Sequence, residues 1–388
     1  MPAVPRFRLR GLEWMIAPTS IEEFFATFWQ RAPLHAQRDN PMYFHGIPSL
    51  DEVDGLISAT VTSDDPKHGY LVRYGADETS ARLPLPFDAA GHIDIQGIYR
   101  AYADGYTVVL NLMEQRSPAI ATVCRALEED LGYRVGANFY LTPPRSQGFA
   151  AHYDSHDVLI AQIHGRKTWR VGRSPYPDVD EPGSARTGFA EHSLQWTQHP
   201  GDVVYLPTGC AHQAITGETS SLHITFGLAP LPWSDVGISP NAAGPSTHLH
   251  RFDRLLHQIA DDGIEKSCAA TENLDDARES FVTAILSRSM ARSGHFASLD
   301  GIAALAATTE VTRAVPGPVY LRSDAARTVL QYPGGHVDLP ALSPVTEEFV
   351  RTTPAFRISD LPGFNADTGR IDCVSDMIRG GFLEVRRC

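Results

Sequence analysis

Three His-x-Asp triplets, His152/Asp154, His92/Asp94 and His336/Asp338, are the first residues in this chain whose types and spacing could do chemistry. On a strand, positions i and i+2 project from one face, so each triplet could offer an imidazole and a carboxylate to a single ion. Only the first has a fitting continuation. His212 lies sixty positions after His152, just past the strand-like run Asp202-Val203-Val204-Tyr205-Leu206 and the loop Pro207-Thr208-Gly209-Cys210-Ala211. Two imidazoles and one carboxylate can occupy one face of an octahedral metal and leave the opposite face open; without a thiolate, this set suits Fe(II), with Mn(II) or Ni(II) bound similarly. The bland alternative is a surface turn plus a histidine at the edge of a core, and it stays in play at the other two triplets.

The residues around the triplet extend the pattern. His152-Tyr153-Asp154, the run Val158-Leu159-Ile160-Ala161-Gln162-Ile163-His164-Gly165-Arg166-Lys167-Thr168-Trp169-Arg170-Val171, Gly201-Asp202 through His212, and Ser221-Leu222-His223-Ile224-Thr225 together resemble the ribosomal-oxygenase branch of the Jumonji-C (cupin) proteins. The resemblance extends to Pro33-Leu34-His35 and to the C-terminal part of the chain. It implies a mainly β fold with helices, in which a double-stranded β-helix (cupin or jelly-roll) barrel is followed by a helical dimerisation segment and a winged-helix-like end. It also implies Fe(II), 2-oxoglutarate and O2 as cofactors, with hydroxylation of a side chain in a ribosomal-protein-type protein or peptide. Two rivals are a natural-product peptide or small molecule as substrate, and a noncatalytic cupin module that binds a protein partner.

A dicarboxylate that chelates the metal at one end needs a cation for the other. Lys167, two residues beyond Gly165 at a hairpin-like turn, sits where the resemblance places that cation, fifteen positions after His152. Ser221, His223 and Thr225 alternate with Leu222, Ile224 and Phe226, so the three polar side chains share a face. By resemblance that face looks into the barrel and Thr225 bonds the distal carboxylate, while Asn138 and Tyr140 lie near substrate and cosubstrate. Two residues after Thr225, where relatives tend to carry a substrate-contacting serine, this chain has Gly227. His156 and His164, near the motif, are expected to be solvated.

The elements that must position these residues are legible in outline. Thr107 to Phe226 is rich in short Val, Ile, Tyr and Thr runs punctuated by Gly, Pro, Asp and Ser, which predicts strands. A helix interrupts them from about Ala119 to Gly132, with Ile120, Val123, Leu127 and Leu131 on one face. Ahead of this region, Ser20 to Leu56 predicts a helix N-capped by Ser20, a Pro-punctuated connection and a second helix ending near Gly55. After Pro232, Phe252, Leu255, Leu256 and Ile259, then Phe281, Val282, Ile285 and Leu286, recur at helical spacing. Beyond Ala314, helices marked by Val345 and Phe349 and by Ile371, Val374 and Ile378 precede Gly380-Gly381 and a terminal strand. The expected divisions are therefore 1–235 catalytic, 236–314 helical and dimer-forming, and 315–388 winged-helix-like.

Composition narrows the class. Hydrophobic residues are 43% and charged residues 20% of 388, as in a globular protein, and no run approaches the ~18 apolar residues of a membrane span. Residues 1–18 carry Arg6, Arg8 and Arg10 but are interrupted by Glu13 and lack the apolar core of a signal peptide. Five scattered cysteines form no Cys-x-x-Cys pair, which predicts a reducing, cytoplasmic setting. A net charge of −13 disfavours nucleic acid and makes protein contact or dimer support the expected role of the C-terminal end.

Overall fold

The computed structural model describes residues 11–61, 66–75, 78–131, 133–173, 183–184, 193–229, 231–232, 248–249, 295–315 and 319–386. Two compact units are present, one drawn from Met1–Leu127 with Arg134–Pro230, the other from Glu128–Tyr133 with Leu231–Cys388. Phe252 to Leu286, the helically spaced residues of the expected dimerisation segment, lie outside the described residues.

The first unit is built on one large antiparallel sheet, as a jelly-roll cupin requires. Its strands are β1 (Leu34–Ala36), β2 (Gly69–Tyr74), β3 (Ser80–Pro84), β4 (Thr107–Leu110), β5 (Arg134–Thr142), β6 (His152–Tyr153), β7 (Asp157–Gly172), β8 (Gly183–Ser184), β9 (Ser193–Gln198), β10 (Val203–Leu206) and β11 (His212–Ala229). Along the sheet the order is β1-β10-β7-β11-β5-β4-β2-β3, with β6 and β9 branching from β11 and β7. The two longest strands, β7 and β11, organise the rest because each bends far enough to serve two sets of neighbours. β7 pairs with β10 along Val158–Ala161 and with β9 along Lys167–Gly172.

Gly165 allows that bend. Its φ is +61°, and a Cβ there would lie 1.7 Å from the Ser220 carbonyl oxygen, so only glycine fits. The β7–β11 register shifts between Thr216 and Ser221 beside it. Gly165 is thus a left-handed point inside one continuous strand, not the hairpin-like turn its sequence context suggests. Along β11, Leu222, Ile224 and Phe226 are fully buried, as strand alternation with an apolar inner face demands.

The helix read from Ala119 to Gly132 spans Pro118–Leu131, and Ile120, Val123, Leu127 and Leu131 are all buried. Ser20 caps as expected, its hydroxyl accepting from Glu23 N at 3.1 Å, but the helix it starts is short and passes into a π-helical turn at Phe24–Phe28. The later helix runs from Leu50 to Thr60, past Gly55, on a Ser49/Glu52 capping box. Gly55 sits where an added Cβ would meet nothing, so an isolated glycine costs the helix only about 1 kcal/mol and does not stop it.

In the second unit, helices Pro344–Thr352 and Asp367–Arg379 accompany two three-stranded antiparallel sheets. Leu361, Val374 and Phe382 are buried in its core, with Phe349 and Ile371 packed against it. Val345 is 61% exposed, and Thr346 and Val350 are the buried positions of the first helix. Among the described residues, no helix is long and apolar enough to cross a membrane. Cys124, Cys210 and Cys373 are buried and outside any disulfide.

Candidate metal and cosubstrate site

Strand register brings the metal-type residues together. His152 on β6 is the direct antiparallel partner of His212 on β11, and facing residues of such a pair put their side chains side by side. The two imidazole centroids are 4.3 Å apart. Asp154, two residues on, brings Oδ2 to 3.8 Å from His212 Nε2. One potential ligand atom from each of His152, Asp154 and His212 lies within 4.8 Å of the others.

Both histidines are pre-set as ligands in the same way. His152 Nδ1 lies 2.8 Å from the Ala150 carbonyl oxygen and His212 Nδ1 2.9 Å from that of Cys210. A carbonyl can only accept, so each Nδ1 carries the proton and each Nε2 keeps its lone pair for a metal. Burial, then repulsion from His152, holds the His212 pKa down to about 4 against the pull of Asp154, which leaves the imidazole neutral at physiological pH.

The loop before His212 is held by a residue that no motif flagged. Asp157, 2% exposed, accepts from Thr208 N at 2.6 Å, from Thr208 Oγ1 at 2.8 Å and from the Tyr205 hydroxyl at 2.8 Å. Burial outweighs these bonds and raises its pKa. Gly209 N, in turn, donates to the Asp154 carbonyl at 2.8 Å. The two ligand-bearing segments are therefore tied through backbone as well as through register.

His152, Asp154 and His212 line a cavity of about 460 Å³ that also takes in Tyr140, Lys167, Trp169, His223 and Thr225. Lys167 is 6% exposed, and burial alone lowers its pKa to about 7. Trp169 is fixed by its indole N–H, which donates to Gln198 Oε1 at 2.9 Å. Burial, followed by Tyr70 and Asp154, raises the pKa of Tyr140, so its phenol stays protonated and able to donate. Asn138 does not line the cavity: it is the cross-strand partner of Thr225, and its Oδ1 accepts from Leu112 N at 3.3 Å. Gly227 makes room for His156, whose Nε2 would be 2.9 Å from a Cβ at that position. His156 is accordingly half-buried rather than a solvated turn residue.

Further lining comes from β2, β3 and the loop before β6. Tyr70, Ser80, Arg82 and Phe149 line the cavity, with the Arg82 guanidinium 4.9 Å from the Tyr70 ring centre and 5.6 Å from that of Phe149. Residues 66–84 carry no motif; the only available signal is the short apolar alternation of β2. The other two triplets are structural. Asp94 caps the helix Ile95–Ala103 by accepting from Gly97 N at 2.9 Å, and His92 pairs with Asp88 in solvent. Asp338 is exposed beside Arg327.

Residues 112–236 match the JmjC domain. Human ribosomal oxygenase 1 is 29% identical over 345 residues, covering 86% of this chain and 52% of that protein. The Drosophila melanogaster bifunctional lysine-specific demethylase and histidyl-hydroxylase NO66 is 32% identical over 231 residues, covering 56% of this chain and 34% of that protein. The chain thus spans about half the length, or less, of these curated relatives. Among solved structures, the Escherichia coli ribosomal oxygenase YcfD in complex with cobalt and 2-oxoglutarate superposes with a TM-score of 0.55 at 15% identity, over 95% of this chain and 99% of that one. At that identity the match speaks for the fold, and the fold agrees with the sheet described above. Residues 112–236 thus carry a JmjC domain within a mainly β, cupin-like fold, and ribosomal oxygenases are among the proteins to which the chain is similar.

Proposed function

We propose that this chain is an Fe(II)- and 2-oxoglutarate-dependent oxygenase that hydroxylates a side chain of a ribosomal-protein-type protein or peptide. The observation that carries the reading is one cavity with two chemically distinct ends: three ligand atoms within 4.8 Å of one another, and a buried lysine. The donor set fits the metal. Two Nε2 lone pairs and a carboxylate, without thiolate, are what a divalent iron with open coordination positions requires. Fe(II) and 2-oxoglutarate bound there would couple decarboxylation, to succinate and carbon dioxide, with transfer of one atom of O2 to a C–H bond.

The protein's own part is positioning. His152, Asp154 and His212 would hold the metal, with Nδ1 of each histidine kept protonated by a carbonyl. Lys167 and Thr225 would hold the distal carboxylate; an ammonium kept from water by burial is costly until an anion joins it, which favours the dicarboxylate. Tyr140 would donate its phenolic proton to substrate or cosubstrate, and Asn138 would steady Thr225 and Tyr140 from behind the wall. The names of the relatives support a protein substrate. Helical spacing around Leu256 and Ile285 supports a homodimer formed through 236–314, with the C-terminal part bracing it rather than binding nucleic acid. The scattered cysteines support the cytoplasm as the site of action.

Mass spectrometry of a ribosomal-protein extract incubated with the chain, Fe(II), 2-oxoglutarate and O2 tests the substrate class. One peptide should gain the mass of a single oxygen atom. Modification confined to a small-molecule fraction would reject it.

A further inference from the structure

His223 has no part in the assignment above, yet few side chains around the cavity are held as tightly. It lies on β11 between the fully buried Leu222 and Ile224, faces the cavity, and is 4% exposed. Its ring stacks on Tyr140, centroids 4.9 Å apart and planes at 8°, and meets Trp169 edge-on at 5.8 Å. Nδ1 is buried with no hydrogen-bond partner. The amide nitrogen of the facing residue, Gln162, donates to His164 O, to Gly165 O and to Ser221 Oγ, and its buried Oε1 accepts no hydrogen bond either.

An orphaned buried N–H costs more than an orphaned lone pair, because an acceptor with no donor is the commoner and milder defect. The proton of the neutral ring therefore belongs on Nε2, which becomes its one donor. Burial, then the neighbouring Lys167 ammonium, keeps the ring neutral. A neutral donor beside an ammonium is what a carboxylate with two oxygens can use.

We propose that His223 is a second cosubstrate-binding residue, its Nε2–H donating to one oxygen of the distal carboxylate while the Lys167 ammonium takes the other. The proposal rests on the oxygenase reading and adds a neutral partner to the cation. Rings on two sides fix the donor's direction before the ligand arrives, so the bond costs little ordering.

Calorimetric titration of the Mn(II)-loaded full chain separates the possibilities, with 2-oxoglutarate and pyruvate as probes, since pyruvate keeps the 2-oxo acid end and lacks the distal carboxylate. His223→Phe, which keeps the stacking, should weaken 2-oxoglutarate about 10–100-fold, the range for a bond to a charged group, and leave pyruvate and Mn(II) affinity unchanged. His223→Gln, with an N–H near the Nε2 position, should recover most of the loss. Unaltered 2-oxoglutarate affinity in His223→Phe, alongside a large loss in Lys167→Ala, would overturn the role of His223 while sparing the oxygenase reading. Equal losses for both probes would make His223 merely structural. Failure of the unaltered chain to bind 2-oxoglutarate would overturn both.

Discussion

At the scale of single residues, the site depends on which nitrogen or oxygen is free. Because each ligand histidine spends Nδ1 on a carbonyl, replacing either with alanine should remove a directed Nε2 donor. His152→Ala, Asp154→Ala and His212→Ala should each lower Mn(II) affinity at least ~10-fold, in line with losing interactions of 1.4 kcal/mol or more. Asp94→Ala should leave metal binding intact and cost about 1 kcal/mol of stability, read as a lower Tm, because Asp94 is a helix cap. Lys167 gives a pH prediction. Its folded pKa of about 7 lies below the ordinary lysine value of 10.5, so between those values the unfolded chain binds the extra proton, and stability without ligand should rise as pH increases from 7 towards 10.5. Lys167→Met should abolish that slope in pH-dependent melting and raise Tm. In the unaltered chain at pH 8, 2-oxoglutarate should draw a proton onto Lys167, seen as a dependence of binding heat on the buffer's ionisation enthalpy. No proton uptake would separate Lys167 from the cosubstrate. His152, Asp154 and His212 were legible because ligand chemistry restricts residue type and strand geometry restricts spacing, whereas Lys167 was legible only through the family resemblance. Asp157 and Arg82 were not, since an acidic residue after a turn and an arginine on a short strand match countless surface positions.

At the scale of elements, placement of the site rests on β7 and β11 and on the loop between β10 and β11. Gly165→Ala should be among the most damaging changes on the strands: it combines a left-handed φ with a Cβ 1.7 Å from a carbonyl oxygen. A loss of at least ~2 kcal/mol in denaturant unfolding is expected. Asp157→Ala should act differently. It would leave Tyr205 OH and the Thr208 donors of a buried loop without their acceptor, costing about 1–3 kcal/mol and weakening metal binding through His212. Unchanged metal affinity in a folded Asp157→Ala chain would show that register alone holds His212. Strand alternation revealed the central strands, and helical spacing the Pro118–Leu131 helix. It missed β1, β2 and β3, because strands of three to six residues at a sheet margin carry too few positions to show a period. The turn reading at Gly165 failed for a related reason: a glycine permits a left-handed residue, but register with a distant strand decides whether the chain reverses there.

For the whole molecule, one domain of recognisable chemistry sits in a longer chain whose second unit has its own core around Leu361, Val374 and Phe382. Residue patterning between 107 and 226 indicated a β-rich region; the cupin barrel was anticipated only through the family resemblance that the motifs carry. Pairing order was out of reach, because which strands lie side by side depends on contacts between residues far apart in sequence. The proposed dimer predicts a light-scattering mass about twice 42.5 kDa, and Leu256→Glu with Ile285→Glu should yield folded monomers; a monomer in the unaltered chain at micromolar concentration would refute it. The central claim is that one cavity joins an imidazole-carboxylate metal site to a dicarboxylate anchor. Its most direct test is conversion of 2-oxoglutarate to succinate under O2, measured with and without Fe(II), in the unaltered chain and in the His152→Ala/His212→Ala double variant. Succinate should form only in the unaltered chain supplied with Fe(II), whereas formation by the double variant at a comparable rate would contradict the account.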